Sequence, residues 1–65
     1  MKLLLHSDIY TIENIEQTKV VYNDFAKIDI IKEGEYWAAY FFECQYDDTL
    51  TCKAFENYLI GLENS

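Results

Sequence analysis

The chain contains no arginine, no proline and only two glycines among its 65 residues. Binding to phosphate backbones depends on lysine and arginine. The chain has five lysines and twelve acidic residues, which gives a net charge of −7. We therefore expect no nucleic-acid partner, and the same charge disfavours an anionic membrane surface. Two glycines also leave no loop able to cradle phosphates. No apolar run approaches the roughly 18 residues of a membrane span.

Length and composition predict one small packed domain over residues 1–65. Hydrophobic residues make up 51% of the chain and aromatic residues 17%, too apolar for a disordered protein. A domain of this size buries only about 60% of the surface that its unfolded chain exposes. We therefore expect a partner protein or a second copy, most simply a homodimer, to complete the core.

The N-terminal residues and the two cysteines are informative about the cellular compartment. Residues 1–7 start like a secretion signal, but the apolar run is three residues against about 7–15 in a true signal, which predicts a cytoplasmic protein. Cys44 and Cys52 are expected to be free thiols, with one disulfide or a redox or metal role as alternatives. A zinc site needs four ligands, so we predict no metal and no cofactor.

The most aromatic stretch, residues 35–43, predicts a strand with two apolar faces. Aromatic side chains favour strands, and this one has Trp37, Ala39 and Phe41 on one face. The other face carries Tyr36, Ala38, Tyr40 and Phe42. Such a strand is usually central in its sheet.

Two amphipathic helices are predicted beside this strand. Thr11 caps the first, over residues 12–26, and its apolar half holds Ile12, Ile15, Thr18, Val21, Tyr22, Phe25 and Ala26. Asp47, Asp48 or Thr49 caps the second, and Gly61 is expected to end it. Its apolar stripe is Thr51, Cys52, Ala54, Phe55, Tyr58, Leu59 and Leu62.

A hairpin is predicted from the alternating residues 27–32 and the turn signal Glu33-Gly34. That turn places Ile31 opposite Tyr36 and Ile30 opposite Trp37. With a first strand over residues 2–7, the order is β-α-β-β-α. We predict a two-layer α+β fold: a three-stranded sheet in the order 1-3-2, with both helices on the Trp37 face.

No catalytic motif is present, so we predict a protein that is not an enzyme and has no catalytic residues. His6 fits a half-exposed strand end, and Asp47 and Asp48 fit a helix start better than a cation site. The sheet face away from the helices is the predicted protein-binding site, because exposed aromatic faces commonly mark interfaces. Its residues are Ile31, Tyr36, Ala38, Tyr40 and Phe42. A free sheet edge could also accept an extended peptide.

Four segments carry a family resemblance: residues 9–15 (Ile-Tyr-Thr-Ile-Glu-Asn-Ile), 22–25 (Tyr-Asn-Asp-Phe), 28–30 (Ile-Asp-Ile) before a hairpin, and 55–60 (Phe-Glu-Asn-Tyr-Leu-Ile). Together they resemble the HxsD-like proteins, which accompany radical SAM enzymes in His-Xaa-Ser-type peptide modification systems. The resemblance implies an accessory protein of ribosomal peptide (RiPP) maturation that binds the precursor peptide or the radical SAM enzyme. The alternatives are an acidic antitoxin or inhibitor of a basic partner, and a self-associating structural module.

Overall fold

The aromatic strand lies in the middle of a three-stranded sheet. The computed structural model describes all 65 residues, in the order β1 (Lys2–His6), α1 (Ile12–Tyr22), β2 (Lys27–Glu33), β3 (Tyr36–Phe42) and α2 (Asp48–Glu63). Both β1 and β2 pair antiparallel with β3, which gives the spatial order β1-β3-β2. The predicted α+β class and strand order are confirmed.

Both helices pack on the same side of the sheet. The core there joins strand residues Leu5, Ile28, Ala39 and Phe41 to helix residues Ile15, Cys52, Phe55 and Leu59. The rings of Phe41 and Phe55 meet edge to face with centroids 5.2 Å apart, a favourable aromatic geometry. Trp37 packs against this core as predicted, so the sheet and the helices form two layers.

Side-chain caps fix where the helices begin. The hydroxyl of Thr11 accepts a hydrogen bond from the Asn14 N–H at 3.4 Å. The carboxylate of Asp47 accepts from the N–H groups of Thr49 and Leu50 at 2.9 and 3.2 Å. Each cap satisfies amides that have no partner inside the helix.

The helix ends differ from the predictions. The first helix ends at Tyr22 rather than Ala26, because the N–H groups of Asn23 and Phe25 donate to carbonyls only three residues back, those of Val20 and Tyr22. Val21, predicted on the apolar stripe, is exposed. The second helix continues through Gly61 to Glu63, whose carboxylate accepts from the Thr11 N–H at 2.7 Å and ties its last turn to α1.

The hairpin register is displaced by two residues from the predicted one. Gly34 and Glu35 form the turn, so Ile31 faces Ala38 instead of Tyr36 and Ile30 faces Ala39 instead of Trp37. Gly34 has φ of 61°, and a two-residue loop with positive φ at its first position favours glycine there, whereas the predicted turn put Glu33 in that place. Because side chains alternate every residue, a displacement of two leaves every side chain on its predicted face.

Candidate functional site on the outer face of the sheet

The side of the sheet away from the helices carries all five residues predicted to bind a partner. Four large apolar side chains there are 40–51% exposed: Leu4, Ile31, Tyr36 and Phe42. Tyr40 and Ala38 lie between them on β3. We call the set Leu4, Ile31, Tyr36, Ala38, Tyr40 and Phe42 the outer face. Leu4 was missing from the predicted site, although its alternation with Leu3 and Leu5 already put it on this side.

A polar bridge crosses the outer face. Lys2 on β1 reaches Glu33 on β2, with its Nζ atom 2.9 Å from the carboxylate, and the Tyr40 hydroxyl donates to the same carboxylate. The hydrogen bond from Tyr40 and that from Lys2 lower the pKa of Glu33 below its ordinary value. The Lys2 ammonium also lies 5.5 Å from the centre of the Tyr40 ring.

The bridge explains a departure from the predicted site. Lys2 lies opposite Tyr40 and Glu33 lies opposite Tyr36, so their contact passes over Ala38 between them. Ala38 has no exposed surface. The prediction that Ala38 is exposed on this face is therefore wrong. The exposed apolar area comes from the side chains around Ala38.

The histidine at the end of β1 is oriented by its neighbours. Its ring meets the Tyr36 ring edge to face at 5.0 Å, and its Nδ1 accepts from the Asp8 N–H at 3.1 Å. The carboxylates of Asp8 and Glu35 lie 3.9 Å from its two ring nitrogens. Both carboxylates are largely exposed, so the contacts that orient the His6 ring lie at the protein surface.

Both sheet edges are open. β1 and β2 pair only with β3, so each has one side whose N–H and C=O groups carry no strand partner. β2 is the longer edge strand, with seven residues against five in β1. The half-exposed Ile31 lies on β2 and faces outward. An apolar side chain thus lies directly beside an unpaired edge.

The two cysteines are free thiols in this structure. Burial raises the pKa of both the Cys44 and the Cys52 thiol above the ordinary value, which keeps them protonated and poorly nucleophilic near neutral pH. No group of three or more His, Cys, Asp or Glu side chains is arranged to hold a metal ion. Neither helix combines the length and the apolar composition that crossing a lipid bilayer requires.

Comparisons of the chain with protein-family models, with curated proteins and with solved structures find no match.

Proposed function

We propose that this protein is a non-catalytic accessory protein that binds an extended segment of a protein partner along β2 and over the outer face. The observation that supports the proposal is that the helices cover only one side of the sheet. Four large apolar side chains stay exposed on the side without helices, next to an unpaired strand edge. Exposed apolar patches with aromatic residues commonly mark binding surfaces.

An added strand would use both features. Main-chain hydrogen bonds to the β2 edge supply affinity without regard to sequence, while alternate side chains of the segment supply specificity. On the outer side those side chains would lie beside Ile31, next to Ala38 in the register. The segment would therefore carry an apolar residue beside Ile31 and polar or charged residues where it lies beside Lys27, Asp29 and Glu33.

The resemblance to HxsD-like proteins suggests which partner to test first. Within that proposal, the partner is the precursor peptide or the radical SAM enzyme of a cytoplasmic RiPP maturation system. Isothermal titration calorimetry with each candidate from the same gene cluster gives the dissociation constant. Titrations in about 50 and about 300 mM salt also separate apolar strand addition from the acidic-inhibitor alternative, whose affinity should collapse as salt screens the charges.

A pair of matched variants tests the surface itself. Ile31→Lys places a charge on the outer face and should weaken binding about tenfold or more. Val20→Lys makes the same kind of change on the exposed side of α1, where Val20 is 74% exposed, and should leave binding unchanged. Failure of the folded wild-type protein to bind either candidate, or equal losses in the two variants, would refute the proposal.

Self-association through the outer face is the second candidate, and the register favours it. A two-fold axis parallel to β3 would place Lys2 opposite Asp29 of a second copy, and His6 opposite Glu33. An axis perpendicular to the strands would instead oppose Lys2 with His6. The first arrangement pairs unlike charges and is the self-complementary one.

A charge reversal distinguishes this candidate. Sedimentation equilibrium should report a dimer for the wild type and a monomer for Asp29→Lys, because that variant places two lysines opposite each other. Val20→Lys adds a lysine away from the outer face, where Val20 is 74% exposed, and should leave the dimer intact. A wild-type monomer at all concentrations would eliminate the self-associating module and leave the outer face to a different protein.

A further inference from the structure

An apolar groove opens on the helix side, where the end of α1 meets the start of α2. Its volume is about 290 Å³, and its lining is formed by Tyr22, Phe25, Tyr46, Leu50, Thr51 and Ala54. Tyr46 and Leu50 are each 65% exposed, a high value for such large apolar side chains. Ala54 was predicted to face the core and is instead exposed in this groove. The groove belongs to the helical layer and is separate from the outer face.

Hydrogen bonds and ring contacts hold the groove in shape. The Tyr22 hydroxyl donates to the Ala54 carbonyl at 3.1 Å and joins the two helices. The Gln45 N–H donates to the Phe25 carbonyl at 2.9 Å and joins the two loops. The Phe25 ring lies 6.0 Å from the Tyr22 ring and 6.2 Å from the Tyr46 ring. A partner would thus meet a preformed site and spend little free energy on ordering it.

The charges next to the lining residues are mostly negative. Within two residues of the lining, the chain has the acids Asp24, Asp47, Asp48 and Glu56 and the cations Lys27 and Lys53. Lys27 already pairs with Glu43. None of these three aspartates forms a salt bridge. Their charge, which no salt bridge neutralises, adds to the net −7 of the chain and attracts cationic groups to this part of the helical layer.

We propose that the groove binds one aromatic or large aliphatic side chain of a peptide segment in which lysine or arginine flanks that side chain. The volume lies just below the roughly 300–1,000 Å³ of small-molecule pockets, which suits a single anchoring side chain. The flanking cations would pair with these aspartates, none of which has a salt-bridge partner. A second copy of this chain is disfavoured as the occupant, because no apolar residue of the chain has a lysine on each side of it.

Three matched peptides test this proposal on the full-length, ¹⁵N-labelled protein by NMR. The probe is the capped pentapeptide Gly-Lys-Phe-Lys-Gly; one control replaces its phenylalanine with serine, and the other replaces both lysines with glutamate. The probe should cause saturable shifts of the Phe25, Tyr46 and Leu50 amides, with a dissociation constant on the order of 1 mM. Neither control should saturate. Equal shifts with the glutamate peptide, or shifts confined to the outer face, would overturn the proposal.

Variants of exposed residues then locate the site without threatening the fold. Leu50→Ser removes one wall of the groove and should weaken binding of the probe about tenfold. Ile60→Ser makes the same kind of change near the other end of α2 and should have no effect. Asp24→Asn should weaken binding by about threefold at low salt and by less at high salt. If shifts of the groove amides follow protein concentration without any peptide, a second copy is the occupant and the proposal fails.

Discussion

Two isoleucines of the same strand should respond differently to the same substitution. Ile28 is 4% exposed and faces the helices, whereas Ile31 is 51% exposed and faces outward. The change from isoleucine to valine removes one CH₂ group and keeps the branched side chain that strands favour. Any change in strand propensity is therefore the same in the two variants. A fully buried CH₂ contributes about 0.8 kcal/mol, and the small cavity left behind brings the cost of Ile28→Val to about 1 kcal/mol. Half-exposed, the same group should cost no more than about 0.4 kcal/mol in Ile31→Val.

Urea denaturation followed by Trp37 fluorescence and circular dichroism measures both costs. A domain of this length is expected to have a free energy of unfolding of about 3–10 kcal/mol, so both variants remain folded. With a slope near 1 kcal/mol per molar urea, the midpoint should fall by about 1 M for Ile28→Val and by less than about 0.5 M for Ile31→Val. The comparison requires that the dependence of the unfolding free energy on urea concentration has the same slope in the wild type and in both variants.

Equal losses of unfolding free energy at the two positions would refute the claim that only one side of the sheet is covered. Repeating the denaturation at a tenfold lower protein concentration then identifies the cause. A cost at Ile31 that falls on dilution means that a second copy covers the outer face. A cost that does not change with concentration means that the chain itself buries Ile31, and the proposed binding surface is then absent.

Four further predictions concern local features. Asp47→Ala should lower the free energy of unfolding by about 1 kcal/mol, because two amides at the start of α2 lose their acceptor; thermal unfolding measures this. By the same assay, Gly34→Ala should destabilise by about 1 kcal/mol owing to its positive φ, and Gly61→Ala should stabilise by about 0.5–1 kcal/mol, since an added Cβ meets no atom. Burial raises the pKa of the Cys52 thiol above its ordinary 9.0. The contribution of the protonated thiol to the free energy of unfolding is therefore fully present below about pH 9 and is lost as pH rises through the raised pKa. The urea midpoint should therefore fall more steeply above pH 9 in the wild type than in Cys52→Ala.

The face of each strand residue could be predicted from sequence because alternation is a local property. The run from Tyr36 to Phe42 contains no break, so once Trp37 was assigned to the core, the remaining side chains of β3 followed by parity. The turn residue was harder to place, since Glu33, Gly34 and Glu35 offer two possible two-residue loops. Only the conformation of the glycine decides between them, and the resulting displacement of two residues preserved the predicted faces.

The features that sequence reasoning missed arise from long-range contacts. Helix α2 continues past Gly61, and Glu63 ties its last turn to the Thr11 amide, 52 residues earlier in the chain. The groove depends on a bond from the Tyr22 hydroxyl to the Ala54 carbonyl, which no local pattern indicates. A helical wheel assigns Ala54 to the apolar stripe, but it cannot show whether a neighbouring element covers that part of the stripe.

The polar bridge on the outer face favours one mode of binding over another. A flat apolar partner that covered the whole face would bury the ion pair between Lys2 and Glu33, and burying charges is costly unless new hydrogen bonds compensate. A strand added at the β2 edge lies beside Ile31 and leaves the bridge in water. The replacement Glu33→Gln separates these modes, because it leaves the Lys2 ammonium without its carboxylate, and face-on packing would then bury an unpaired charge. It should weaken face-on packing and leave the affinity for an edge strand nearly unchanged.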